Sequence, residues 1–148
     1  MTRIIFCNAF SLSMLIDSIA VVGVKEVNIY ELQRLIATAR ERGVEIDSAI
    51  GHPATAKVLS KILGLEIPVN RKMIKLDKDI ILVVFQLLQR LPPKAELSEE
   101  ELAKIPFKLF LVFLARPLRT ENGYHEWIEP ENSEVEKLLT EANIDLEL

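Results

Sequence analysis

The run Ile80-Ile81-Leu82-Val83-Val84-Phe85 is the strongest constraint on what this chain can fold into. A strand with one wet face alternates apolar and polar residues. Six apolar residues in succession need cover on both faces, which is the position of a central strand. The rest of the chain must therefore supply flanking strands and the layers that pack on them.

Further strands read from short β-branched and aromatic runs: Arg3 to Cys7, Ile19 to Val27 with a bulge expected at Gly23, Val44 to Ile50, and Phe107 to Leu114 as the last. Leu65 to Leu76 reads as a further extended stretch, followed by a turn at Asp77-Lys78-Asp79. Helices alternate with them. A short one is expected within Asn8 to Leu15. Asn28 with Glu31 forms a capping box for a helix through Leu32, Leu35, Ile36 and Ala39 to Gly43. Pro53 fits the first turn of a helix over Ala54 to Leu63 that Gly64 closes. Ser98 with Glu101 opens a short helix ending before Pro106, and a last helix spans Ser133 to Ala142. This order predicts an α/β fold (α+β as the alternative) with a mixed sheet of about five to six strands and flanking helices.

At 148 residues the chain supports one sizeable core. The nearest candidate for a membrane span, Phe107 to Ala115, is strand length, far from the roughly 20 residues of a membrane helix, so no membrane partner is expected. The start, Met1 to Cys7, has no signal-peptide pattern, and a single cysteine fits a reducing compartment. A cytoplasmic location is expected. The net charge of −4 argues against a stable nucleic-acid partner, but it is unevenly spread. Residues 119–148 carry nine acids against Arg119 and Lys137, which leaves residues 1–118 at +3. Two regions follow: a body over 1–118 and an acidic extension over 119–148 with a short helix.

Candidate chemistry centres on Asp47-Ser48-Ala49-Ile50-Gly51-His52-Pro53-Ala54-Thr55-Ala56. Gly51 is expected to permit an unusual backbone angle, and His52 then stands at a helix start, a place that favours anions. No metal or cofactor is expected. His52 and His125 are far apart and outside any ligand-spaced cluster, the five glycines are scattered, and nothing resembles a nucleophile elbow. Taken singly, His52 reads as structural, Asn8 and Ser11 as caps, Arg71 and Arg90 as surface charges. Together they say more. Asn8 and Ser11 follow one strand, His52 follows another and Arg90 ends a third, so parallel strands would gather them at one sheet edge. Arginine grips phosphate bidentately and histidine transfers protons near neutral pH. That combination suggests a phosphate-ester site.

Four segments, Asn8-Ala9-Phe10-Ser11-Leu12-Ser13-Met14-Leu15, Ile50-Gly51-His52-Pro53-Ala54-Thr55, Val69-Asn70-Arg71 and Gln86-Leu87-Leu88-Gln89-Arg90-Leu91, resemble the viral ring-nuclease family. Its members are type III anti-CRISPR proteins of archaeal viruses and phages, with cellular relatives. The likeness covers residues 3 to about 115 in order. It implies a homodimer that binds cyclic tetra-adenylate across its two-fold axis and cuts it without metal, switching off type III CRISPR signalling. His52 would be the general acid, and Asn8, Ser11, Arg71, Gln86 and Arg90 would hold or line the ligand. A ring of four identical nucleotides contains a two-fold axis, so an isologous dimer can present the same groups to both halves.

Two departures stand out. Some family members carry a ligand-contacting glutamate shortly after the Gln-Arg-Leu stretch, where this chain has Pro92-Pro93, with Glu96 the nearest substitute. The tail from about residue 119 lies outside the likeness, and His125 within it reads as incidental. Rival readings are a sponge that holds a cyclic nucleotide uncut, a nucleic-acid-binding viral regulator, or a structural or host-interaction protein using the acidic tail.

Overall fold

A computed structural model describes residues 1–88, 100–101, 104–116, 118–121, 124–127 and 133–146. The expected capping box at Ser98, the Pro92-Pro93 stretch, Glu96 and Arg90 lie outside these residues.

Among the described residues the main elements are, in order, β1 (Arg3–Cys7), β2 (Val21–Val27), α1 (Ile29–Glu41), β3 (Glu45–Ser48), α2 (Pro53–Leu63), β4 (Ile80–Leu87), β5 (Phe107–Arg116), β6 (Leu118–Glu121), β7 (Tyr124–Trp127) and α3 (Glu134–Glu141). The first five strands make one mixed sheet in the order β2-β5-β4-β1-β3. The all-apolar β4 is its middle strand, buried from Ile80 through Phe85 as a strand covered on both faces must be. β1 pairs parallel with β3 on one side and β4 on the other, whereas β5 pairs antiparallel with β4 and β2. The fold is thus a mixed five-stranded sheet with flanking helices.

Alternation along each strand divides the core into two layers. Ile4, Phe6, Ile81, Val83, Phe85, Leu109 and Leu111 face the layer that also takes Leu32, Leu35 and Ile36 of α1, Val58 and Leu59 of α2, and Val135, Leu138 and Leu139 of α3. The rings of Phe85 and Phe107 stack in or beside it with centroids 4.6 Å apart. The opposite face presents Ile5, Cys7, Leu82, Val84 and Val112 to Ile74 and Leu76, with Phe10, Met14 and Leu15 alongside. No helix of the three covers this second face. Two other segments do, one around the 3₁₀ turn Leu12–Met14 and one ending at Leu76, joined where the Leu76 amide donates to the Met14 carbonyl at 2.7 Å.

Local signals account for the helices. Asn28 and Glu31 each bond the other's backbone N–H, so the capping box of α1 forms, and Gly43 leaves the helix at φ 68°. Pro53 opens α2 and Gly64 ends it in the left-handed region. Ser133 caps α3, whose apolar stripe packs into the helix-side layer, so the acidic extension adds a helix to the same core as the body.

Three expectations need correction. Residues 65–76 add no strand to the sheet; the β pairing they make is one isolated parallel bridge, Leu15 to Leu76. The bulge in β2 falls between Val21 and Val22. Gly23 is required instead by the Phe113 ring, which a Cβ there would meet at 2.7 Å. Phe107–Arg116 is not the last strand: β6 and β7 form a separate antiparallel ribbon. Their sequences flank Asn122-Gly123, a favoured hairpin pair hidden among charged residues.

Candidate functional site

Parallel pairing of β1, β3 and β4 places the carboxyl ends of all three strands on one side of the sheet. Asn8 follows β1, the Gly51-His52 turn follows β3, and Gln86 sits in the last turn of β4's path. That is the sheet end where open α/β sheets form ligand crevices.

His52 is the N-cap of α2, half-buried, with φ −112° and ψ 118° and no side-chain cap bond. Its imidazole is therefore not consumed in holding the helix. Nδ1 is buried without a hydrogen-bond partner among the described residues. The preceding turn is clamped from two directions. Asn8 Oδ1 accepts the Gly51 N–H at 3.1 Å, tying the end of β1 to the turn. From the other side comes the chain after α2. The Ser48 hydroxyl donates to the Pro68 carbonyl at 2.6 Å, the Asn70 amide donates to the Ile50 carbonyl at 2.8 Å, and Asn70 Nδ2 donates to the Ser48 carbonyl at 2.9 Å. Residues 67–74 thereby pass round the edge strand β3, from Ile67 in the helix-side layer to Ile74 in the other.

This strap delivers Arg71 to the turn. A Cβ on Gly51 would lie 2.8 Å from Arg71 Nε, so glycine is needed there for close approach. The expected unusual backbone angle is not present, since only Gly43 and Gly64 among the described glycines have positive φ. Arg71 is exposed and has no carboxylate partner among the described residues. Its neighbour Lys72 is neutralised by Asp47, which also binds Arg3 at 3.2 Å. The hydrogen bond from Lys72, helped by the Ser48 N–H and the Lys72 and Arg3 charges, holds the Asp47 carboxyl below its ordinary pKa. One cation of the strap is thus spent on structure and the other is free for an anion.

The remaining predicted residues are less tightly gathered. Ser11 is exposed and caps a 3₁₀ turn over Leu12–Met14, its Oγ accepting from the Ser13 amide and lying 2.9 Å from Ser13 Oγ. Lys75 Nζ donates to the Ser13 carbonyl at 2.8 Å, so this loop leans on the same strap. Gln86 is exposed on the face without helices, and its Nε2 donates to the Leu87 carbonyl at 3.1 Å. Asn8 and Arg71 meet the turn at Gly51, directly before His52; Ser11 and Gln86 share this sheet end without a hydrogen bond to that turn. Ser48 and Asn70 were not singled out from the sequence. Their signal was present, as Asn70 stands in the Val69-Asn70-Arg71 triplet and Ser48 precedes the glycine turn, but small polar residues there read equally well as turn formers.

No group of three or more His, Cys, Asp or Glu among the described residues could hold a metal, and no helix among them is long and apolar enough to cross a membrane. The cluster offers one imidazole, one free guanidinium and amide groups, a set suited to an anion and a proton transfer.

Comparison with known proteins gives a consistent lineage. A family model described as STIV B116-like matches residues 4–109. Uncharacterized protein 26 of Sulfolobus islandicus filamentous virus is 38% identical over 92 residues, spanning 62% of this chain and 74% of that protein. Uncharacterized protein YddF of Bacillus subtilis is 35% identical over 65 residues, 44% of this chain and 60% of that one. The solved structure of B116 of Sulfolobus turreted icosahedral virus shares the fold with a TM-score of 0.59 at 21% identity, covering 75% of this chain and 98% of its own.

Proposed function

The chain belongs to the STIV B116-like family, and from the cluster at its sheet end we propose that it is a metal-independent ring nuclease acting on cyclic tetra-adenylate. The observation that carries the reading is His52 at the start of α2, uncommitted to capping, with Arg71 held against the preceding glycine. Arg71, with Arg90 and the Asn8–Ser11 loop, would hold the phosphates. The 2′-hydroxyl of one ribose attacks the adjacent phosphorus and its proton passes to solvent. The bond from phosphorus to the 5′-oxygen breaks, and His52 donates its proton to that oxygen. Two such cleavages release linear di-adenylates ending in 2′,3′-cyclic phosphate. General acid catalysis supplies roughly 10²–10⁴-fold, and the rest must come from holding the 2′-oxygen, phosphorus and 5′-oxygen in line.

A homodimer would complete the site by offering a two-fold ligand two copies of each group. Support comes from the sheet face without helices, whose covering segments leave Leu12, Ile16 and Met73 at 78%, 60% and 85% exposure. Large apolar residues gathered on one face favour a protein partner over solvent. Removal of cyclic oligoadenylate would damp type III CRISPR defence, in the cytoplasm of the cell concerned.

Incubation with cyclic tetra-adenylate and with cyclic hexa-adenylate, each in EDTA, tests this by chromatography of the products. The expected result is di-adenylate from the tetramer, with His52→Ala still binding the ring but leaving it whole. Tight binding with the ring returned intact would identify a sponge instead, and absence of binding would end both readings.

A further inference from the structure

We propose that Asn70 is a positioning residue that couples the phosphate-binding arginine to the proton donor. This rests on the ring-nuclease reading for its kinetic consequence but not for its geometry. Asn70 bonds the turn twice at neighbouring carbonyls. Its backbone amide takes Ile50 at 2.8 Å, and its side-chain Nδ2 takes Ser48 at 2.9 Å. The residue after it is Arg71, and the residues after Ile50 are Gly51 and His52. One residue therefore sets the distance between a cation on one crossing of the chain and an imidazole on another.

The geometry has little redundancy. The Ser48 hydroxyl is itself committed to the Pro68 carbonyl, and the Lys72–Asp47 pair closes the strap two residues further on. Asn70 is the only described residue between them with a side-chain hydrogen bond to the turn. Because the side chain of Asn70 is exposed, its loss opens no cavity, and the fold does not depend on it. The effect falls instead on alignment, where a displacement of about 1 Å costs roughly a hundredfold in rate. Asp at this position would keep the shape but replace the Nδ2 donor with an acceptor facing the Ser48 carbonyl, so it should be as damaging as Ala.

The test compares Asn70→Ala and Asn70→Asp with Gln33→Ala. Gln33 makes the same kind of bond, Nε2 to the Ile62 carbonyl at 2.8 Å, on α2 away from the turn. Ring binding is measured by calorimetry, cleavage by single-turnover assay, and the imidazole of His52 by its NMR chemical shifts with His125 as internal reference. Both Asn70 variants should slow cleavage at saturating ligand by tenfold or more and move the His52 resonances. Gln33→Ala should leave all three as in the unaltered protein. Unmoved His52 resonances with normal cleavage would overturn the proposal, as would equal effects from Gln33→Ala. If the unaltered protein cuts no ring, the NMR shift still decides the coupling, and only the nuclease reading is lost.

Discussion

Arg71 Nε occupies the space where a side chain on Gly51 would begin, 2.8 Å from a Cβ built there. Gly51→Ala must push the guanidinium aside, and because the displaced atom belongs to a flexible side chain the fold absorbs it. Its backbone is outside the left-handed region, so alanine adds no conformational strain. Affinity for cyclic tetra-adenylate should fall about tenfold, near 1.4 kcal/mol, with the melting temperature nearly unchanged. Calorimetric titration reads the first and differential scanning the second. Unchanged affinity would remove Arg71 from the phosphate site.

Cys7 gives a pH-dependent prediction on the opposite sheet face. Burial pushes its thiol up to about 12, against an ordinary 9.0. In the folded chain the thiolate is scarce at pH 8, so iodoacetamide should modify native protein far more slowly than urea-unfolded protein. The unfolded thiol ionises first. Its contribution to stability is therefore complete below pH 9.0 and is lost as pH climbs toward about 12. Mass spectrometry after timed alkylation checks the reactivity, and Cys7→Ala should shed this part of the alkaline loss.

Asp47 acts at the other end of the scale. Its carboxyl is held below the ordinary 3.8, chiefly by the bond from Lys72, so the stability it contributes is present above that value and lost as pH falls below it. Asp47→Asn should lower the unfolding free energy in urea modestly at pH 7, by at most about 1 kcal/mol for a solvent-accessible pair. As the pH falls below 3.8 and on through the lowered folded-state value, the two proteins should converge. A constant gap across that range would assign the effect to packing rather than charge.

Leu139 tests whether the acidic extension belongs to the core. The side chain is fully buried in the helix-side layer, where Arg34 Nε on α1 also donates to the Ala142 carbonyl. Leu139→Ala should cost about 2–5 kcal/mol in chemical denaturation, through lost contacts and the cavity left behind. A cost under about 1 kcal/mol would mark α3 as loosely attached.

The sheet was legible because its decisive signal was local. Ile80 to Phe85 announced a strand covered on both faces, and it is the central one. Asn28 with Glu31 and Pro53 with Gly64 marked helix ends through short-range hydrogen bonding and backbone preference, which depend on neighbours in sequence. Long-range contacts were not readable in this way. Gly23 looked like a bulge and Gly51 like a special angle, yet each is glycine because a side chain from another crossing, Phe113 or Arg71, lies against it. The gathering of Asn8 and His52 followed once the strands were taken as parallel. The strap that holds Arg71 depends on Ser48 and Asn70 meeting across the edge of β3, and no periodicity encodes that meeting.

β1 lies between two parallel partners that are distant in the chain. Ile5 stands opposite Asp47 on one side and Leu82 on the other. Pairings separated by about forty and about seventy-five residues close slowly, since chain entropy is lost before the contacts compensate. Neither hairpins nor single helices can pre-assemble the imidazole's surroundings along the way. Ligand binding should therefore appear in a refolding experiment with the slowest structural phase, making occupancy of this crevice a reporter that the most distant parts of the chain have found each other.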